Sequence, residues 1–241
     1  MHLQQETYIH HKPIPCPTQS QNQDILHVVA GIDEAGRGPV LGPMVYGIAY
    51  HPVGQQDAFS KIGFADSKQL TPQIRDKFFE TLENSNDIGI CVTPISAREI
   101  SSRMFLQQNM GLMEKDIYRA NCSGAGSLND IAFIATCDII REVLKDGTIA
   151  IDELYVDTLG PPEKHQARLK TAFPSIPKII VAKKADSLYP IVSAASICAK
   201  VTRDAILMGW KEPTIEKHMK NLVIGSGYPS DQTTVRWLKD N

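Results

Sequence analysis

Cysteine is scarce in this chain and follows no pattern. There are five in 241 residues (Cys16, Cys91, Cys122, Cys137 and Cys198), an odd number with no C-x-x-C pair. That usage argues against a disulfide framework and a structural zinc site, and it suits a reducing compartment. No apolar run approaches the roughly 20 residues that a membrane-spanning helix needs. The N-terminus has no basic segment followed by an apolar one, so no secretory signal is visible. Basic charge is not in excess either: the formal net charge is −2, which argues against a general cationic coat for nucleic acid. No internal repeat is present.

What the chain does have is enough apolar material for one sizeable core, at 42% hydrophobic and 22% charged residues. Its charge is unevenly distributed. Residues 1–159 hold 12 Lys and Arg against 20 Asp and Glu, whereas residues 160–241 hold 13 against 7. Such asymmetry is usually solvated surface, but it permits an acidic pocket beside a basic face.

Three segments follow from composition. Residues 1–24 are polar, with prolines at 13, 15 and 17, and read as a loose, disordered tail. Residues 25–212 read as one domain, and 213–241 as a C-terminal helical segment. Strands are expected over 26–33, 40–50, 88–93, 153–160 and 176–186. Helices are expected over 96–119, 128–145, 162–172 and 190–210. A further helix starts at Thr71, with Pro72 at its first position and an apolar stripe of Ile74, Phe78, Phe79 and Leu82. Strands clustered early and alternating with helices later indicate an α/β domain with a mixed sheet.

Three of these strand patterns end in acids: Asp33–Glu34, Asp157 and Asp186. In α/β sheets, sites gather beyond the carboxyl ends of parallel strands. A lone acid there is usually a helix cap or a surface residue; three such ends together are harder to explain that way. Converging carboxylates repel in a partly dry site. Divalent cations resolve the conflict, and Mg2+ or Mn2+ suits a set of oxygen ligands with no His or Cys among them. A cluster holding two metals suits in-line attack of water on a phosphodiester. Successive side chains on a strand point to opposite faces, so Asp33 and Glu34 share a site only if the strand ends or distorts there. The glycine-rich turn after them, Gly36-Arg37-Gly38, permits such a departure.

The blocks "GIDEAGRGPVLGPMVYG", "ADSKQL", "YVDTLGPPEKHQARL", "KKADSLYPIVSAASICAKVTRD" and "GSGYP" resemble, in order and spacing, the type 2 ribonuclease H family, over roughly residues 27 to 240. Their wording is similar to the family's eukaryotic catalytic subunits. The resemblance implies a ribonuclease H-like fold, a mixed five-stranded sheet flanked by helices with a small C-terminal helical part. It also implies an endonuclease that hydrolyses RNA in RNA–DNA hybrids and incises 5′ of single ribonucleotides in duplex DNA, for ribonucleotide and primer removal in replication and repair. By the same resemblance, Asp33, Glu34, Asp157 and Asp186 are the metal-binding catalytic carboxylates. Gly36, Arg37 and Gly38 read the ribose 2′-hydroxyl through their backbone, the group that separates RNA from DNA. Tyr228 packs on the sugar at the RNA–DNA junction, and Lys68 lies near the substrate phosphates. Lys184, Lys200 and Arg203 lie in matching blocks and supply basic charge, although "AKVTRD" reads as helix and gives Arg203 a structural alternative. The family further implies two accessory subunits in a heterotrimer, no membrane, and an intracellular, nuclear setting.

Two departures stand out. Where the family carries a Ser-His pair in its middle helices, the sequence places Glu114-Lys115, with an insertion after it over 120–130. The chain also ends soon after "VRWLK", so either a truncated C-terminus or a divergent member of the family is expected. Two other functions compete with the nuclease reading. One is a silent nucleic-acid-binding member of the same complex, against which four intact acids speak. The other is a junction resolvase on the same fold, which needs no 2′-hydroxyl reader.

Overall fold

A computed structural model gives the fold and describes residues 9–15, 25–64, 70–109, 127–158, 160–209 and 223–240. The strands are β1 (His10–Lys12), β2 (Leu26–Ala35), β3 (Met44–Pro52), β4 (Gly89–Ile95), β5 (Ile149–Asp157) and β6 (Lys178–Ala182). The helices are α1 (Gln56–Lys61), α2 (Pro72–Asn84), α3 (Ala97–Asn109), α4 (Leu128–Leu144), α5 (Pro162–Ala172), α6 (Ala185–Leu188), α7 (Pro190–Met208) and α8 (Gln232–Asp240).

The strands form one mixed sheet in the order β1-β4-β3-β2-β5-β6. β2, β3 and β4 run as an antiparallel meander, while β5 and β6 lie parallel to β2. The expected five strands are therefore six. The additional one is β1, inside the stretch expected to be a loose tail. It pairs antiparallel with β4 through His10↔Val92 to Lys12↔Ile90. Lys12 fastens it: its ammonium donates to the carbonyls of Leu82 at 2.9 Å, Ile88 at 2.7 Å and Ser85, the first and last of these charge-assisted bonds gathering the open end of α2.

Apolar side chains fill both faces. One core packs Val28, Ala30 and Ile32 of β2 against α4 and α5, through Ile131, Ile139, Ile140 and Leu169. The other lies under α1, α2 and α7, through Phe59, Leu82, Ala195 and Cys198. The two cores account for the near-continuous apolar runs of the central strands. α2 begins as expected, with Thr71 accepting from the Ile74 N–H and Pro72 in the first turn. Its stripe is shorter than expected, because Ile74 is 42% exposed while Leu82 is fully buried.

α7 fixes the site. A Cβ added to Gly31 would lie 2.6 Å from the Ile191 carbonyl carbon, and one added to Gly47 would lie 2.6 Å from the Ala195 oxygen. Helix and sheet therefore meet backbone to backbone, which is why α7 carries Ser193, Ala194, Ala195, Ser196 and Ala199 on its buried side. Among the described residues, no helix is long and apolar enough to cross a membrane. Cys91, Cys137 and Cys198 are free and buried. Cys16 and Cys122 lie outside the described residues.

Candidate active site

Asp33 and Glu34 both remain within β2. The strand does not end at them as expected. Its pairing with β3 runs on to Ala35↔Val45, whereas its pairing with β5 stops at Ile32↔Val156. The β5 side of β2 is thus open at these two acids. Asp33 shares the parity of Gly31 and turns toward α7, where Ser196 bonds its carboxylate. Glu34 stands opposite Tyr46 across the β2–β3 ladder. The Asp33 carboxylate also accepts the Glu34 N–H at 2.7 Å, drawing it back along the strand.

At the end of β5, Asp157 accepts the Ala185 N–H at 2.6 Å. One oxygen each of Asp33, Glu34 and Asp157 lies within 4.8 Å of the others. Burial first, and the Asp157 charge second, push the Asp33 carboxyl up to about 7, against the opposing pull of Ser196 and Lys200. An all-oxygen donor set under that mutual repulsion fits a hard divalent cation. Asp186 is not among the three. The sequence places it at the end of a strand, but β6 stops at Ala182, Lys184 turns left-handed at φ 57°, and Asp186 sits buried in the short α6.

The acids open into a cleft of about 1040 Å³ that is also lined by Gly36, Arg37, Gly38, Arg75, Lys200, Arg203 and Tyr228. Gly36 adopts φ +84°, and a Cβ there would lie 2.2 Å from the Pro43 oxygen. Gly38 is different: a Cβ would meet only the Tyr228 ring, at 3.8 Å. Arg203 joins the two loops. It is buried, donates to the carbonyls of Leu41 at 3.3 Å and Ser226 at 2.9 Å, and lies 5.1 Å from the Tyr228 ring centroid. Of the two roles that the sequence leaves for Arg203, the geometry gives it the structural one.

Of the expected site residues, the structure brings together Asp33, Glu34, Asp157, Gly36, Arg37, Gly38 and Tyr228. Lys184 is exposed and is not part of the cleft lining. Lys68, Glu114 and Lys115 lie outside the described residues. Two neighbours escape the sequence reading. Tyr46 is buried beside Glu34 and Arg37; burial first, then Glu34, drive its phenol well above 10, so it stays protonated. Arg37 donates to Asn129, in the first turn of α4. The glycine turn therefore leans on Ser127–Asp130, a segment with no signal of its own beyond the N-cap serine.

A family profile described as Ribonuclease HII matches residues 30–241. The chain is 45% identical over 217 residues to a ribonuclease H2 subunit of Dictyostelium discoideum, covering 88% of this chain and 70% of that one. It is 39% identical over 214 residues to the Homo sapiens protein of the same name, covering 88% and 65% respectively. Among solved structures, the ribonuclease H2 of Pyrococcus horikoshii OT3 superposes with a TM-score of 0.64 at 32% identity, covering 88% of this chain and 85% of that one. These agreements in sequence and fold, over a cleft with clustered acids and a glycine turn, establish that the chain belongs to the ribonuclease HII family, the type 2 ribonucleases H.

Proposed function

We propose that this chain cuts the RNA strand of RNA–DNA hybrids and incises duplex DNA on the 5′ side of single ribonucleotides, leaving a 3′-hydroxyl. The observation that carries the reading is the gathering of Asp33, Glu34 and Asp157 within 4.8 Å beside a side-chain-free turn. Asp33, Glu34 and Asp157, with Asp186 completing the set, would hold Mg2+ or Mn2+. Held there, two such ions would supply an activated water and charge neutralisation at the scissile phosphate.

The rest falls to the chain itself. The Gly36–Gly38 backbone has room to approach a ribose edge, because Gly38 faces only the Tyr228 ring at 3.8 Å. Tyr228, 38% exposed, offers that ring to a sugar. Lys200 lies close enough to Asp33 to oppose its shift and is placed to neutralise phosphate charge; Lys184 extends that role to the strand outside the cleft, and Lys68, by its matching block, serves the substrate phosphates as well. We further propose that the chain works in the nucleus as the catalytic member of a heterotrimer with two accessory subunits, and cleaves weakly without them.

The test is incubation with a DNA duplex holding one ribonucleotide, with Mg2+ or Mn2+, for the chain alone and co-expressed with accessory subunits. A single cut 5′ of the ribonucleotide is expected, faster in the complex. No cut with either ion in either form overturns the activity. Full turnover by the chain alone overturns only the dependence on partners.

A further inference from the structure

Arg75 of α2 and Asp204 of α7 meet across the same cleft that holds the three acids. Their contact is poor for an ion pair. One Arg75 nitrogen, Nη2, lies 3.4 Å from Asp204 Oδ2, where charge-assisted N–H···O bonds run at about 2.7–2.9 Å and arginine prefers to engage a carboxylate through two nitrogens. The Arg75 side chain is only 17% exposed, and its buried Nε has no hydrogen-bond partner. Asp204 is itself strained as a charge: its carboxyl is shifted up, by burial first, with the Arg75 charge only partly offsetting this, so the pair leaves both groups short of compensation. A half-buried fork of donors with so little to bind is in want of an acceptor.

Position says which acceptor. Asp204 follows Lys200 by four residues on α7, one helical turn or about 6 Å along the axis. Lys200 is the cation nearest in effect to Asp33. Arg203, between them in sequence, also has a buried Nε without a partner, but its Nη2 is committed to the carbonyls of Leu41 and Ser226 and holds the two loops together. A strand leaving the acids along this wall therefore passes Lys200 and then Arg75. A phosphate brings full negative charge and two free oxygens, matching a guanidinium fork better than the carboxylate now facing it.

We propose that Arg75 is a phosphate-binding residue one turn out from the acids, and that Asp204 holds its guanidinium in place until nucleic acid displaces it. This rests on the nucleic-acid reading above. The competing account is a pin that ties α2 to α7 and touches no substrate. The two accounts separate in the salt dependence of binding, because each phosphate contact adds about 0.9 to the slope of log K against log salt.

The experiment measures binding of a short labelled RNA–DNA hybrid by anisotropy across a salt series. An Asp33→Asn background keeps the hybrid uncut, and thermal unfolding is recorded for every variant. Arg75→Gln is expected to weaken binding roughly tenfold and to flatten the slope by about 0.9. Asp204→Asn is expected to tighten binding roughly threefold at low salt, since the competing carboxylate is gone while the phosphate contact remains. An unchanged slope in Arg75→Gln overturns the proposal, as does weaker binding in Asp204→Asn. If Arg75→Gln does not fold, Asp204→Asn decides: tightening supports the proposal and anything else overturns it. Failure of the Asp33→Asn chain itself to bind hybrid at low salt removes the nucleic-acid reading, and this proposal with it.

Discussion

The Ala185 N–H donates to the Asp157 carboxylate at 2.6 Å, so the last residue of β5 is tied to the first residue of α6. Asp186 is the next residue along and is buried. Asp157→Asn keeps a carbonyl oxygen able to accept the bond, whereas Asp157→Ala leaves the N–H without it. Both changes should abolish cleavage. In metal-free denaturant unfolding, Ala should cost about 1–2 kcal/mol more than Asn. Equal stability in the two variants would show that the bond matters little.

Metal should stabilise the fold. Adding Mg2+ or Mn2+ to the native chain should raise Tm, by an amount equivalent to about 2.7 kcal/mol at a hundredfold excess over Kd, and chelation should reverse it. The Asp33 carboxyl, held as the acid up to about 7, must lose its proton for the ion to bind, so uptake should tighten as pH rises through neutrality. Asp33→Asn should erase the metal-dependent rise. A rise that survives in this variant would place the ions elsewhere.

His165 sets a different pH dependence. Its Nδ1 lies 3.2 Å from Thr158 Oγ1, and burial first, then the charges of Arg168 and Arg37, push its pKa down to about 4 from the usual 6.5. The unfolded chain therefore takes up a proton near 6.5 that the folded chain refuses until about 4. The histidine's contribution to stability is whole above 6.5 and is lost as pH falls through that window. Urea midpoints measured across this range should fall toward acid, and less steeply in His165→Asn. Parallel curves for the two proteins would refute the assignment.

The two glycines of the turn should part company. Gly36→Ala forces a left-handed residue and a Cβ 2.2 Å from the Pro43 oxygen, so it should cost the fold about 1–3 kcal/mol. Gly38→Ala meets nothing closer than 3.8 Å and should leave Tm nearly unchanged while hybrid cleavage falls. Calorimetry and turnover on both variants check this; similar losses of stability would contradict it.

Tyr228 presents its ring, with Arg203 behind it at 5.1 Å. Tyr228→Phe should retain most activity, because the ring proposed to pack on sugar remains. Tyr228→Ala should lose about 1–3 kcal/mol of substrate binding, the worth of one stacked ring. Equal losses would mean that the hydroxyl carries the role.

Much of this was legible in the chain because it runs against burial. Acids near the ends of core strands and glycines in place of side chains stand out, and Asp33, Glu34, Asp157 and the turn do come together, although β2 runs on past its two acids to Ala35. Asp186 stands inside α6 and not at the end of a strand, and the sequence did not show this, since nothing marks Lys184 as left-handed. Tyr46, Asn129 and Arg75 act through space, across strands and between helices, and have no local signature. β1 was hidden for an energetic reason. Three residues, His-His-Lys, carry little strand preference, and their order comes from β4 and from the carbonyls that Lys12 reaches.

That short strand governs how the protein behaves in a crowd. β4 is buried along its whole length, Gly89–Ile95, and it is the strand that β1 covers. Stripped of β1, it becomes an apolar sheet edge with unanswered backbone donors and acceptors, a template for a strand from another molecule. β1 answers part of that row, and its Lys12 sets a charge where a stray strand would dock. Deleting residues 9–15 should therefore leave the acids in place and make the protein self-associate, visible as concentration-dependent light scattering at native temperature.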